Sequence, residues 1–133
     1  MKKLTIYTSK TCGYCTTLKQ KFKEKEIEFT EKSIDEYKSE WNQVVELTGL
    51  PTTPTIEFNA NYYVPGRDFQ NPEQLTDYIK SLDSLTTDVE YSNDKRLLEA
   101  FKTLTFTLRT SLNRLQQDLQ QIKQKLDEHK STN

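Results

Sequence analysis

Cysteine occurs in one place only in this chain, and Thr11-Cys12-Gly13-Tyr14-Cys15 holds both thiols. The motif follows the short apolar run Leu4-Thr5-Ile6-Tyr7 and opens a helical pattern that continues through Leu18 and Phe22. Two thiols separated by two residues at a strand-to-helix junction suit a reversible dithiol. The first helical turn carries unpaired N–H groups and the positive end of the backbone dipole, so a thiolate placed there is stabilised. Cys12 is then the nucleophile, and Cys15, one turn further in, can close a small disulfide ring with it. Lys10 adds a positive charge just upstream, with no carboxylate before Phe22 to oppose it. Gly13 lets the backbone approach a bound partner.

Two other readings of the pair stay open on these residues alone. Cys-x-x-Cys is also half of a structural zinc site, which needs two further ligands. The single histidine, His129, stands near the far end of a long polar segment. The pair could also be inert and buried. The strand–helix context points instead to redox chemistry. A chain of 133 residues has room for one domain with a real core and something appended. Its net charge of −1 offers no general attraction to nucleic acid or to an anionic membrane. Met1-Lys2-Lys3 is followed by polar, Thr-rich sequence rather than an apolar signal region, and no run is long enough to span a bilayer. A cytoplasmic protein is the expectation, and there a two-cysteine motif reads as catalytic.

The order of elements follows from periodicity and turn chemistry. Lys3 to Thr8 suits a buried strand. Cys15, Leu18 and Phe22 recur at helical spacing, and that helix should end near Lys25. Ile27 and Phe29 alternate with glutamates in a second strand reaching about Ser33, parallel to the first because a helix separates them. Asp35 is placed to cap a helix whose apolar stripe is Tyr37, Trp41, Val44, Val45 and Thr48, with Gly49 at its C-cap and Pro51 preventing continuation. Ile56-Glu57-Phe58 and Tyr62-Tyr63-Val64 read as antiparallel strands joined by Asn59-Ala60-Asn61. Asn71 caps, and Pro72 starts, a last helix with Leu75, Tyr78, Ile79 and Leu82 inward. The result is an α/β fold, βαβαββα, with a mixed four-stranded sheet and flanking helices. We place the domain at residues 1–84, a linker at 85–93 and a helical extension at 94–133.

Three local motifs in that order resemble the glutaredoxins of the thioredoxin-like superfamily: Lys10-Thr11-Cys12-Gly13-Tyr14-Cys15, Thr48-Gly49-Leu50-Pro51-Thr52-Thr53-Pro54, and Gly66-Arg67-Asp68 before the last helix. The likeness covers residues 1–84. Thioredoxin itself fits poorly, since its motif carries Trp before the first cysteine and Pro after Gly. By the resemblance, Pro54 is a cis-proline facing the dithiol, and Thr53 offers its backbone to the cysteinyl part of glutathione. Lys10 meets the glycyl carboxylate, Tyr14 walls the groove, and Asp68 with its loop N–H groups holds the γ-glutamyl end. Arg67 is a further partner for a glutathione carboxylate. Taken one by one, Pro54 also reads as a trans proline before a strand, Lys10 and Arg67 as solvated charges and Asp68 as a turn residue. The chain departs from the family where Pro65-Gly66 replaces Gly-Gly, Thr53 replaces Val, and Arg67 stands where a small or acidic residue is common.

The activity implied is glutathione-dependent thiol–disulfide exchange, electron transport through a redox-active disulfide. The Cys12 thiolate reduces glutathionylated proteins, and with Cys15 it reduces protein disulfides. Resemblance also carries a different-class reading, because members with Gly after the first cysteine can share a [2Fe-2S] cluster between two subunits, here with Cys12 as the ligand. A third reading makes the domain a scaffold with vestigial cysteines. By the resemblance, a chain of this size, with Lys- and Asn-rich composition and such a tail, is similar to a phage-encoded reductant serving nucleotide reduction in the host cytoplasm.

The tail carries apolar residues at Leu97, Phe101, Leu104, Leu108, Leu112, Leu115, Leu119, Ile122 and Leu126, in steps of three and four with a stutter between Leu104 and Leu112. A helix from about Asn93 to Lys130 would span ~55 Å and needs a partner surface for so narrow a stripe. A coiled-coil homodimer is the first expectation, and a helix folded on its own domain the second. Thr103-Leu104-Thr105-Phe106-Thr107-Leu108 alternates with strand period and competes locally. Its basic residues are spread around the helix, which argues against nucleic-acid binding.

Overall fold

A computed structural model describes residues 3–84 and 95–131. Strand β1 (Leu4–Thr8) is followed by helix α1 (Gly13–Glu24), strand β2 (Thr30–Ser33), helix α2 (Lys38–Thr48), strands β3 (Thr55–Phe58) and β4 (Asn61–Tyr63), and helices α3 (Pro72–Ser84) and α4 (Lys95–Ser131). The sheet order is β2-β1-β3-β4. β1 runs parallel to β2, pairing Ile6 with Glu31, and antiparallel to β3, pairing Ile6 with Ile56. The fold is α/β as expected, a mixed four-stranded sheet with helices on its faces and a long C-terminal helix. The linker expected at 85–93 lies outside the described residues.

Alternation along the strands gives the sheet two apolar faces. On one, Leu4, Ile6, Ile56 and Phe58 meet Leu18 and Phe22 of α1 and Leu75 and Ile79 of α3. On the other, Tyr7 and Tyr62 meet Trp41 and Val44 of α2. Phe22 is completely buried and its ring lies 5.5 Å from that of Phe29. Glu73 stitches α1 to α3 through Lys21 at 2.6 Å and Lys25 at 2.8 Å, and these two ammonium groups hold its carboxyl down at about 2.

Several expected details are corrected. β2 begins only at Thr30, and Ile27 and Phe29 reach the core from the loop before it. Asp35 does not cap α2; Tyr37 stands at the N-cap without a side-chain cap bond and is exposed rather than part of the buried stripe. Gly49 does close that helix, in the left-handed conformation at φ 71°, which glycine adopts without a Cβ clash. Tyr78 is not an inward residue of α3: it is 51% exposed and covers Tyr63 edge-on, while Thr76 takes the buried place. Thr103 to Leu108 is helical, inside α4.

α4 is a single 37-residue helix, and it rests on its own domain through its first turns. It does so with a polar face. Glu99 is 2% exposed, whereas Leu104, Leu108, Leu112, Leu115, Leu119, Ile122 and Leu126 are all more than half exposed. The domain therefore leaves the leucine stripe uncovered.

Candidate active site

α1 starts where it does because Cys12 is its N-cap. The Cys12 backbone is extended (φ −91°, ψ 97°) and its sulfur accepts a hydrogen bond from the Cys15 N–H at 3.1 Å. An N-cap side chain satisfies one of the orphan N–H groups of the first turn, and here sulfur takes the usual oxygen's place. The turn contains no acidic side chain. The Cys12 sulfur is thus the atom toward which the positive end of the helix points.

Cys12 and Cys15 form a disulfide, with Cα atoms 5.3 Å apart. Their exposure is unequal. Cys12 is half-buried, but Cys15 is only 2% exposed, among the core residues. A thiolate arriving from solvent therefore has access to the Cys12 sulfur and not to that of Cys15. Nothing crowds Gly13, whose missing side chain would meet no atom within 4 Å.

The loop before the dithiol is tied to the segment before β3. Cys12 N–H donates to Ser9 O at 3.3 Å, and Ser9 Oγ lies 3.1 Å from Thr53 Oγ1. The Thr53–Pro54 peptide bond is cis. Pro54 is buried, and Thr55 Oγ1 donates to Thr52 O at 2.6 Å, which fixes the turn around it. Lys10 is exposed beside this junction in sequence. Ser9 was legible only as a loop residue, and its bridge to Thr53 is a long-range contact that no local pattern signals.

Tyr14, expected to wall a groove, is half-buried. Its ring packs on the core and on Phe69, at 6.5 Å between centroids, and its hydroxyl is buried without a hydrogen-bond partner among the described residues. Burial pushes its pKa up. Through Phe69 it joins the cysteine turn to the loop at 65–69.

In that loop Asp68 Oδ2 accepts from Val64 N–H at 2.8 Å and from Arg67 Nε at 2.9 Å. The backbone N–H groups of Asp68 and Gly66 are spent within the loop, on Val64 O and Phe69 O. Asp68 Oδ1 lies 3.7 Å from Lys102 Nζ. The Arg67 side chain is 1% exposed, and it is not presented to a groove. It faces Asp68 at 2.8 Å and Glu99 of α4 at 2.7 Å, and donates to Thr103 Oγ1 and Tyr62 O. A direct pairing of Arg67 with a glutathione carboxylate is therefore replaced by pairing with carboxylates of the chain itself. Lys102 completes the group, 3.0 Å from Tyr62 O and 5.4 Å above the Tyr63 ring. Sequence reasoning missed Glu99, Lys102 and Thr103. Their spacing along one helix face was visible, but a polar face reads as solvated until its partner is known.

Among the described residues no group of three or more His, Cys, Asp or Glu side chains gathers that could hold a metal ion. Nor is any described helix long and apolar enough to cross a membrane.

Comparison with known proteins bears on the same residues. The family model described as glutaredoxin matches residues 4–63. Among solved structures, glutaredoxin 1 from Francisella tularensis, complexed with cacodylate, is 30% identical over 61% of this chain and 99% of that one, with a TM-score of 0.46. A buckwheat glutaredoxin–glutathione complex is 14% identical over 60% of this chain and 70% of that one, also with a TM-score of 0.46. A search of curated proteins gives no match.

Proposed function

This chain belongs to the glutaredoxin family, and from that premise we propose that it is a glutathione-dependent thiol–disulfide oxidoreductase acting on glutathionylated proteins and protein disulfides in a cytoplasmic compartment. The observation that carries the reading is the inequality of the two sulfurs, one half-buried at a helix N-cap and the other sealed in the core.

In the reduced protein the Cys12 thiolate attacks the glutathione sulfur of a mixed disulfide. The new Cys12–glutathione bond forms as the substrate's S–S bond breaks, and the substrate leaves as a thiolate that solvent protonates. A second glutathione thiolate then attacks the bound glutathione sulfur, releasing glutathione disulfide and regenerating Cys12. Alternatively Cys15, once deprotonated, attacks the Cys12 sulfur, expels glutathione and closes the ring. From the closed ring, two glutathiones restore the dithiol, the first attacking Cys12 because Cys15 is out of reach. For binding, the Thr53 backbone takes the cysteinyl unit beside Pro54, Lys10 takes the glycyl carboxylate, and Asp68 Oδ1 takes the γ-glutamyl ammonium. Tyr14 and Arg67 support the loop rather than contact the tripeptide.

A [2Fe-2S] centre would draw one ligand from this chain, Cys12, since Cys15 is sealed and no third donor gathers beside the pair among the described residues. Nothing in the site favours it over the dithiol. The test is glutathione-coupled reduction of a peptide–glutathione mixed disulfide. The velocity should saturate in the mixed disulfide and stop without glutathione; equal turnover with an unrelated monothiol in its place contradicts the reading.

We propose further that α4 pairs with a second copy of itself. Its leucine stripe is uncovered by the domain, follows heptad-like steps over most of the helix, and is self-complementary in a coiled coil. Light scattering should give twice the chain mass for the full chain and a monomer for residues 1–94. A monomeric full chain contradicts the pairing.

A further inference from the structure

α4 touches both segments that flank the binding edge proposed above, and it does so through Glu99, Thr103 and Phe106. Thr103 Oγ1 donates to Thr48 O, at the start of the run that leads to Thr53 and Pro54, and accepts from Arg67 Nη1 at 3.2 Å. Glu99 Oε2 is 2.7 Å from the same Arg67 nitrogen, and Glu99 Oε1 is 3.3 Å from Lys102 Nζ. Arg67 holds Asp68. Phe106, one turn on, is the side chain that lies over Gly66.

A carboxylate as buried as Glu99 persists only with cations and donors around it, so the helix is held at one register against the loop. Arg67 is planar and forked, and its hydrogen bonds to Asp68 Oδ2, Thr103 Oγ1 and Tyr62 O fix its plane, while the Glu99 carboxylate beside it, an ion-pair partner outside hydrogen-bond geometry, balances its buried charge and so holds it against Asp68. We propose that Glu99 and Thr103 are positioning residues for substrate binding. Glu99 sets Asp68 through Arg67, and Thr103 fixes the Thr48 end of the segment that presents Thr53. The extension is then part of the substrate site and not an appendage. This inference rests on the glutathione reading of Asp68 and Thr53.

The test uses the full chain and a peptide–glutathione mixed disulfide, with KM and kcat measured for wild type, Glu99→Gln, Thr103→Val and Asp68→Asn. The rate at which iodoacetamide alkylates reduced Cys12 serves as a readout of the nucleophile. Loss of a charge-assisted contact predicts a KM raised about tenfold by Glu99→Gln and severalfold by Thr103→Val. kcat and the alkylation rate should not move. If Asp68→Asn raises KM and neither α4 variant does, the inference is overturned while the glutathione reading stands. If Asp68→Asn also leaves KM unchanged, it is the placement of glutathione that fails, and the inference falls with it. If the α4 variants slow alkylation and kcat together, the helix acts on the whole fold and the positioning role is overturned. Should Glu99→Gln fail to fold, Thr103→Val, which keeps the side-chain shape, decides alone.

Discussion

Replacing Cys12 by serine is expected to abolish reduction of every disulfide substrate, by ~10³-fold or more, as removal of a catalytic nucleophile typically does. The attacking species in thiol–disulfide exchange is a thiolate, and a serine hydroxyl is not ionised at neutral pH. Cys15 cannot stand in for it, being 2% exposed and out of reach of a substrate disulfide. Replacing Cys15 by serine should have a divided effect. Deglutathionylation continues, because a second glutathione can discharge Cys12, whereas reduction of a protein disulfide falls steeply without a resolving thiol. Rates measured on both substrates with both variants check this. A Cys15→Ser protein that loses deglutathionylation, or a Cys12→Ser protein that keeps it, contradicts the assigned order of attack.

The second large effect is on stability. Phe22 is completely buried where α1 meets the sheet, between Leu18 of its own helix and the ring of Phe29. Truncating it to alanine removes the transfer energy of the ring and leaves a cavity that a sheet-backed site cannot collapse, a cost of about 3–5 kcal/mol. Domains of this size are stable by only about 5–15 kcal/mol. Phe22→Ala should therefore lower the urea midpoint sharply with little change in the slope of the transition. A loss below about 1 kcal/mol would mean that α1 is not anchored as described. Because Cys12 caps α1, activity should fall with the folded fraction.

What the sequence made legible is the part whose causes are local. The cysteine turn, the left-handed Gly49, Pro72 in the first turn of α3 and the alternation in β1 and β3 each follow from residues a few positions apart, and the order of elements followed from them. What it hid depends on partners distant along the chain. Asp35 has the chemistry of a cap, but the chain between Ile34 and Tyr37 turns on backbone bonds to Thr8 and Ser33 instead. Tyr14 was placed as a groove wall on motif position alone, and its contact with Phe69 is a tertiary fact. Arg67 has the chemistry to bind a free carboxylate; the carboxylates that take it are Asp68 next door and Glu99 from α4. The alternation from Thr103 to Leu108 satisfied both periods at once, with Thr103 and Phe106 toward the domain and Leu104 and Leu108 in the exposed stripe.

The pH dependence of Cys12 alkylation in the reduced protein tests the chemistry at its root. Peptide N–H groups and dipole aimed at the sulfur favour its ionised form, so the apparent pKa should fall well below the free-cysteine value. A rate that is flat from neutral pH upward and drops only in acid is the predicted profile. A titration centred near the free-cysteine value would show that the helix N-terminus does not hold a thiolate, and a domain of that kind would be a scaffold with idle cysteines.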